Sequence, residues 1–178
     1  MRKLILYIAA SLDGYIAKPG DDLSFLSIVQ QGNEDYGYMD FISGVDTVIV
    51  GRRTYDWVMS QVTEFPHSNK ETYVITRTPR PAEGRIQFYT GDLKELVESL
   101  KAREGKAIFC DGGAEVIKEL LQHDAVDEFY ISIIPILLGA GIPLFKEGIP
   151  ELRLQLVNTK SYASGLVQLH YKRYNNQD

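Results

Sequence analysis

Two short stretches of this chain combine glycine with charged residues at spacings that suit a phosphate-bearing ligand. In the first, an apolar run ends at Gly51 and is followed directly by Arg52, Arg53 and Thr54, before a helical pattern begins. Two arginines at a helix start oppose the helix dipole, which favours negative charge there. An anion at the same place removes this conflict, because the free N–H groups of a helix start already form an anion site. The junction therefore predicts contacts to phosphate.

A second junction of the same design lies later in the chain. The apolar run 107–110 leads into Asp111, Gly112 and Gly113, and a helical pattern continues as far as Leu121. Glycine lets a backbone approach a phosphate closely, although ordinary turn chemistry also explains glycines at such a place. Because two such junctions occur in one small chain, we favour a phosphate-rich ligand that is held at two points.

Composition and charge exclude several classes of protein. The 178 residues carry a net charge of −5, which argues against a general nucleic-acid binder because such proteins usually carry a basic excess. The single cysteine, Cys110, excludes an internal disulfide and a cysteine-based zinc cluster, and its apolar surroundings indicate a buried, inert thiol. The three histidines lack metal-ligand spacing, so no metal is expected. No apolar run reaches membrane-spanning length, and we interpret 4–10 as the first buried strand of a cytoplasmic protein.

The elements that must position these junctions can be read from apolar runs and turn residues. Helices are expected after Asn33, Gly51, Asp92 and Gly113. The alternation predicts a single α/β domain over 1–178 with a mixed, mostly parallel sheet of about eight strands, and a C-terminal antiparallel hairpin that turns at 163–165. Ligands of such sheets bind at the carboxyl ends of the parallel strands. Strands are predicted near 3–10, 46–50, 72–76, 86–90, 106–110, 127–134, 152–160 and 166–174.

Three segments in this order resemble the dihydrofolate reductase-like superfamily: IAASLDGYIA at 8–17, GRRTY at 51–55 and DGGAE at 111–115. The segment 126–145 is similar to the C-terminal reductase domain of bifunctional riboflavin-biosynthesis deaminase/reductases and its stand-alone relatives. The match spans nearly the whole chain and implies the three-layer fold of that superfamily. The chain has no zinc deaminase module, so only the reductase half is represented.

The resemblance implies NADPH as the cofactor, with Arg52 approaching its 2′-phosphate. The implied cofactor-binding positions are Ala9, Ala10 and Ile16 at the nicotinamide, Gly51, Arg52, Arg53 and Thr54 at the phosphates, Thr76, Arg77 and Thr78 on the adenosine side, and Gly112, Gly113, Ala114 and Glu115 at the pyrophosphate.

Asp35 is the first candidate for the acid that handles a proton. It lies sixteen positions before Gly51, the spacing of the single acid in dihydrofolate reductases. Hydride transfer to a C=N bond needs a proton on nitrogen, which a partly buried carboxyl with a raised pKa could deliver. A second interpretation is equally open, because an acid near a helix start complements the dipole. Asp40 is a weaker rival, and Ser132 aligns with a threonine that supports the acid in the relatives.

The resemblance implies a reductase that moves a hydride from NADPH to a small pyrimidine- or pteridine-like heterocycle, such as an aminopyrimidine ribose phosphate. Dihydrofolate reductase proper and a non-catalytic NADP-binding protein are the alternatives. Folate is doubtful because Lys70 stands where those enzymes have an arginine.

A homodimer through the late strands and Pro135–Phe145 is also implied. The loop 139–141 is expected to shape the substrate pocket or a subunit contact. A slot for a flat ring is expected from Tyr36, Tyr38, Phe41 and Trp57.

Overall fold

The computed structural model describes residues 1–174, so the last four residues of the predicted 1–178 domain lie outside the described residues. The described chain forms ten strands and four α-helices, with one 3₁₀ helix at Ser24–Val29. The strands are β1 (Leu4–Ser11), β2 (Tyr15–Ala17), β3 (Val45–Gly51), β4 (Glu71–Ile75), β5 (Ile86–Tyr89), β6 (Ala107–Gly112), β7 (Glu128–Ile134), β8 (Ile142–Pro143), β9 (Leu154–Ser161) and β10 (Val167–Arg173). The helices are α1 (Tyr38–Ser43), α2 (Arg52–Gln61), α3 (Leu93–Ala102) and α4 (Ala114–Gln122).

Eight strands form one sheet in the order β5-β4-β3-β6-β1-β7-β10-β9. The first six are parallel to one another, and β10 runs antiparallel to both of its neighbours. The mixed sheet and the C-terminal hairpin are therefore confirmed, with the hairpin closed by a hydrogen bond from Gly165 N to Tyr162 O of 2.9 Å. Strands β2 and β8 form a separate antiparallel pair that was not predicted, because two or three residues show no apolar periodicity.

Neighbouring residues of a central strand point to opposite faces of the sheet. Because both faces are apolar, helices pack on each of them, and three layers result. Ile49 and Cys110 pack with α3 and α4 in the largest apolar cluster. Val48 and Phe109 face the other layer, where they meet residues of α1. Cys110 is fully buried, and this burial raises the pKa of its thiol to about 12, as expected of an inert cysteine.

The first predicted helix is misplaced and must be corrected. It was expected to begin after Asn33 with Asp35 in its first turn, whereas α1 begins at Tyr38. Tyr36 and Gly37 have φ angles of 56° and 80°, which a right-handed helix cannot contain. The other three helices form where they were expected, and Asp92 caps α3 by accepting a hydrogen bond of 2.9 Å from Glu95 N. Within residues 1–174, no helix is both long and apolar enough to cross a membrane.

Candidate active site

An open cleft of about 1120 Å³ lies at the carboxyl ends of β1, β3, β4 and β6. This is the edge where ligands of parallel sheets bind. Gly51 ends β3 and Asp111 lies next to the end of β6, so both predicted junctions open into the same cleft. The sequence predicted a phosphate contact at each junction. The sheet order places the two junctions side by side, because β3 and β6 are neighbours.

The two junctions form one narrow cradle. Strands β3 and β6 are neighbours, with Val50 paired to Gly112. A methyl group added at Gly51 would lie 3.3 Å from Gly113 N, and one added at Gly113 would lie 3.0 Å from Thr54 Oγ1. A side chain at either position would be crowded, whereas glycine lets the two backbones approach without displacing a neighbour. Neither Gly51 at the start of α2 nor Gly113 at the start of α4 provides a side-chain cap, in contrast to the capped α3.

In the described part of the chain, residues 1–174, four cationic side chains line the cleft, and they differ in the acidic partners that they contact. Arg52 is 3.5 Å from Asp56 one turn along α2, a weak contact. Arg53 makes a two-pronged ion pair with Asp21 at 3.0 and 3.1 Å. Lys146 pairs with Glu115, whereas Arg77 has no ion pair among residues 1–174. Of these four cations, Arg52 and Arg77 therefore form the weakest ion-pair contacts with the rest of the protein.

The structure brings most of the predicted cofactor positions together. Ala10 is fully buried, and neither it nor Gly112 lines the cleft. The predicted positions that do line it are Ala9, Ile16, Gly51, Arg52, Arg53, Thr54, Thr76, Arg77, Thr78, Gly113, Ala114 and Glu115.

The two predicted catalytic residues do not line the cleft. The Asp35 carboxylate accepts hydrogen bonds of 3.0 Å from Met39 N and from Gly37 N, and these bonds lower its pKa instead of raising it. Asp35 is exposed and satisfies the start of α1, in agreement with the second of the two interpretations given above. Ser132 is buried in β7, where its Oγ lies 3.3 Å from Gln168 Nε2.

A different carboxyl, Asp111, faces the cleft beside Tyr38 and His67. Its burial raises the pKa of the carboxyl to about 7, although 27% of the side chain remains exposed. No hydrogen bond of this carboxyl is found among residues 1–174. The sequence showed Asp111 only as part of a turn, but an acid at the end of a buried parallel strand is the signal that could have found it.

His67 lies behind Asp111 as a neutral group. Burial, together with the nearby charge of Lys70, lowers the pKa of His67 to about 4. Its Nε2 is 3.9 Å from Asp111 Oδ2, too far for a hydrogen bond, and 3.3 Å from the Tyr38 hydroxyl. Because His67 is neutral near pH 7, the contact with Asp111 is not an ion pair there. Burial and the charge of Asp111 raise the pKa of Tyr38, so its hydroxyl keeps its proton.

Next to Asp111 lies an apolar part of the cleft that we call the aromatic pocket. Its rings are Tyr7, Tyr38 and Phe109, with centroids 5.7 Å apart for Tyr7 and Tyr38 and 6.5 Å apart for Tyr7 and Phe109. The cleft is also lined by Leu23, Leu26 and Trp57, so two of the four aromatic residues expected to form a slot, Tyr38 and Trp57, line it. The other two support it from behind or lie elsewhere, since Phe41 stacks on Tyr7 at 4.3 Å and Tyr36 packs on Tyr162 at 4.7 Å.

The rim of the cleft joins two loops that are distant in sequence. Strand β2 pairs with β8, and Gly141 of the loop 139–141 lines the cleft as expected for a pocket-shaping loop. The Asp13 carboxylate accepts hydrogen bonds from Leu138 N at 3.1 Å and Gly139 N at 2.7 Å. A methyl group at Gly141 would lie 2.1 Å from Ala17 O, so the two loops are in direct backbone contact.

The fold is that of the dihydrofolate reductase-like class. The chain belongs to the RibD C-terminal domain family, which matches residues 2–168. Two uncharacterized proteins of Bacillus subtilis are relatives: YwjB is 42% identical over 97% of this chain and 98% of its own length, and YyaP is 32% identical over 96% and 94%.

Solved structures agree with this assignment. A putative riboflavin biosynthesis protein from Shewanella sp. PV-4 is 32% identical, with a TM-score of 0.89 over 97% of this chain and 99% of that one. A diaminohydroxyphosphoribosylaminopyrimidine deaminase/5-amino-6-(5-phosphoribosylamino)uracil reductase from Thermotoga maritima is 15% identical, with a TM-score of 0.71. It shares the fold, and its match covers 97% of this chain but 57% of that longer protein.

Proposed function

We propose that the protein is an NADPH-dependent reductase of a pyrimidine- or pteridine-like heterocycle. The observation that carries this proposal is the cradle between Gly51 and Gly113, which lines the same cleft as the aromatic pocket and the acid Asp111. Membership of the RibD C-terminal domain family supports the same activity. The names of the similar Shewanella and Thermotoga proteins point to riboflavin biosynthesis, which supports a reductase role related to that pathway.

The residues of the cradle fit a dinucleotide. The N–H groups at the starts of α2 and α4 lack side-chain acceptors and suit a pyrophosphate, whose approach needs the space left by the two glycines. Arg52 is the residue for the 2′-phosphate, since its link to Asp56 is weak and arginine binds phosphate through forked contacts. When bound, NADPH supplies the hydride.

Asp111 is the residue that we propose for proton delivery in place of Asp35. A C=N bond that accepts a hydride also needs a proton on its nitrogen. With a pKa of about 7, the Asp111 carboxyl is protonated in a large fraction of molecules at neutral pH and can donate to a ring or imine nitrogen. The protonated hydroxyl of Tyr38 lies beside it and can help to orient the substrate.

Reduction of dihydrofolate is less well supported. The nearest counterpart of the arginine that holds the folate carboxylate is Lys70, and its Nζ donates to Ile42 O at 3.1 Å and Val45 O at 2.8 Å. Lys70 also does not line the cleft. Turnover of dihydrofolate at a rate ordinary for such enzymes would favour this alternative over our proposal.

Calorimetric titration with NADPH and NADH tests the cofactor part. We expect Arg52→Ala to weaken NADPH about ten- to a hundredfold, because a charge-assisted contact is lost, and to leave NADH nearly unchanged. The matched control is Arg85→Ala, an exposed arginine outside the cleft. Equal losses for both cofactors would reject the role of Arg52, and no heat with NADPH would reject the proposed function.

Oxidation of NADPH across a panel of heterocycles tests the reductase part. Substrate-dependent oxidation that is lost in Asp111→Asn, with NADPH affinity retained, is the expected result. Tight binding of NADPH without its oxidation in the presence of any heterocycle of the panel would instead indicate a non-catalytic NADP-binding protein.

A further inference from the structure

The carboxylate of Asp56 is shared between two arginines, which hold it unequally. Arg80 makes a two-pronged ion pair with it, at 2.7 Å from Nη1 to Oδ1 and 2.9 Å from Nη2 to Oδ2. Arg52 approaches one of the same oxygens, Oδ2, but its Nη1 lies 3.5 Å away. Forked contacts are among the strongest that a carboxylate makes, whereas 3.5 Å is longer than an ordinary hydrogen bond. Asp56 is therefore primarily a partner of Arg80.

Helix geometry and the neighbouring segment explain this preference. Arg52 and Asp56 lie four residues apart on α2 and share one face, but a cation that precedes an acid along a helix is the less favourable order. Arg80 comes from the segment after β4, and its guanidinium lies 5.3 Å from the centre of the Phe88 ring, a cation–π contact that helps to fix it. The hydrogen bonds from Arg80 lower the pKa of Asp56, which keeps the carboxylate charged.

The charge of Asp56 matters to a ligand because Arg52 lines the cleft, whereas Asp56 and Arg80 do not. An ionised acid next to Arg52 would, on its own, cancel the positive charge that a phosphate needs. Arg80 contacts both oxygens of this acid, so its charge offsets that of the carboxylate. Of the three charges, that of Arg52 is the one left for a ligand in the cleft.

We infer that Arg80 is a positioning residue for cofactor selectivity, because by neutralising Asp56 it leaves Arg52 free to bind the 2′-phosphate of NADPH. The inference rests on the proposed function and adds to it a residue outside the cleft. Without Arg80, the carboxylate would pair with Arg52 and would also repel the phosphate, so selectivity for NADPH over NADH would fall. NADH has a hydroxyl at that place and would be affected little.

Calorimetric titration of Arg80→Ala with NADPH and NADH tests this inference. We expect the variant to weaken NADPH about three- to tenfold and to leave NADH nearly unchanged, because the freed carboxylate acts on the 2′-phosphate alone. Arg103→Ala is the matched control, since Arg103 makes a similarly exposed ion pair with Glu71 at 3.1 Å outside the cleft. An unchanged NADPH affinity in Arg80→Ala, or equal losses for both cofactors, would overturn the inference.

Asp56→Asn separates charge compensation from a purely structural link between α2 and the segment after β4. Both substitutions break the same ion pair, so a structural link predicts a similar loss of NADPH affinity in each. If Arg80 acts by neutralising the carboxylate, removal of that carboxylate should leave NADPH bound as tightly as in the parent, or more tightly. The double variant Asp56→Asn/Arg80→Ala should likewise regain most of the affinity that Arg80→Ala loses. Equal weakening of NADPH in the two single variants would contradict the inference, with folding checked by thermal denaturation.

Failure of this inference is distinct from failure of the proposed function. Absence of heat with NADPH in the parent protein would reject the function itself. A parent protein that binds NADPH, with selectivity lost in Arg52→Ala but kept in Arg80→Ala, would reject only the role of Arg80.

Discussion

At the scale of single residues, two aspartates show how surroundings decide what a carboxyl can do. Asp35 is exposed and accepts two backbone N–H groups, so its pKa is lowered and it remains ionised. Asp111 lies beside Tyr38 and His67 without a donor among residues 1–174, and its pKa is raised to about 7. Hydrogen bonds from backbone N–H groups lower the pKa of Asp35, whereas desolvation raises the pKa of Asp111.

We predict that Asp111→Asn lowers kcat about a hundredfold or more, because the proton donor is lost while the shape of the side chain is kept. In the parent protein, kcat/KM should fall as the pH rises through about 7, since the protonated carboxyl is the active form. Steady-state oxidation of NADPH over a pH series measures both effects. Asp35→Asn is the control, and a large loss in that variant would return the catalytic role to Asp35.

Asp111 should also affect stability in a pH-dependent way. Its pKa is about 7 in the folded protein and about 3.9 in an unfolded chain, so the folded state binds the proton more tightly. Stability from this group is fully present below about pH 4 and is lost as the pH rises to about 7. Above that range, Asp111→Asn should be more stable than the parent by up to about 4 kcal/mol, because each unit of the pKa difference corresponds to about 1.4 kcal/mol, and urea unfolding measures this gain. A variant that is less stable than the parent at every pH would contradict this.

At the scale of elements, the junctions and the strands that carry them were predictable, and the loops were not. Strands β1, β3 and β6 are buried on both faces, so each forms a continuous apolar run. The start of α1 was misplaced because Tyr36 has a positive φ, which the local sequence does not indicate, and its ring packs against Tyr162, far along the chain. The sequence shows that Asp111 ends a buried strand, but it does not show how far the carboxyl is desolvated, since Tyr38 and His67 come near it only in the folded chain.

The cradle gives a prediction at the same scale. Gly113→Ala should weaken NADPH about tenfold, because the added methyl lies 3.0 Å from Thr54 Oγ1 and narrows the space for a pyrophosphate. Gly44→Ala is the matched control, since its methyl would meet Phe41 O at 3.3 Å outside the cleft. Calorimetry measures affinity, and thermal denaturation checks that both variants fold. Similar losses of NADPH affinity in the two variants would contradict the proposal that the cradle binds the pyrophosphate.

At the scale of the whole molecule, β9 is an open edge of the large sheet. Among residues 1–174 it pairs only with β10, and nearly all of its residues are exposed, with Leu156 and Val157 about half exposed. Edge strands of this kind readily pair with another chain. We propose that two copies associate through β9, with the segment Pro135–Phe145 near the contact, where Leu137 is 68% exposed.

Light scattering at several concentrations tests this association. We expect a mass near twice 20.1 kDa for the parent protein and a shift to the monomer when Leu156 and Val157 are both replaced by lysine. Met39→Lys is the control, because Met39 is equally apolar and exposed but lies on α1. A parent protein that stays monomeric at all concentrations would refute the dimer.

The contact between the loops at 13–17 and 138–143 has a consequence for how ligands enter. Asp13 holds the backbone of one loop to the other, β2 pairs with β8, and Gly141 leaves no space next to Ala17 O. Neither loop can move outward alone without breaking these bonds, so any opening of this rim must move both loops together. Passage of a ligand across the rim would then depend on two segments that lie more than a hundred residues apart in the sequence.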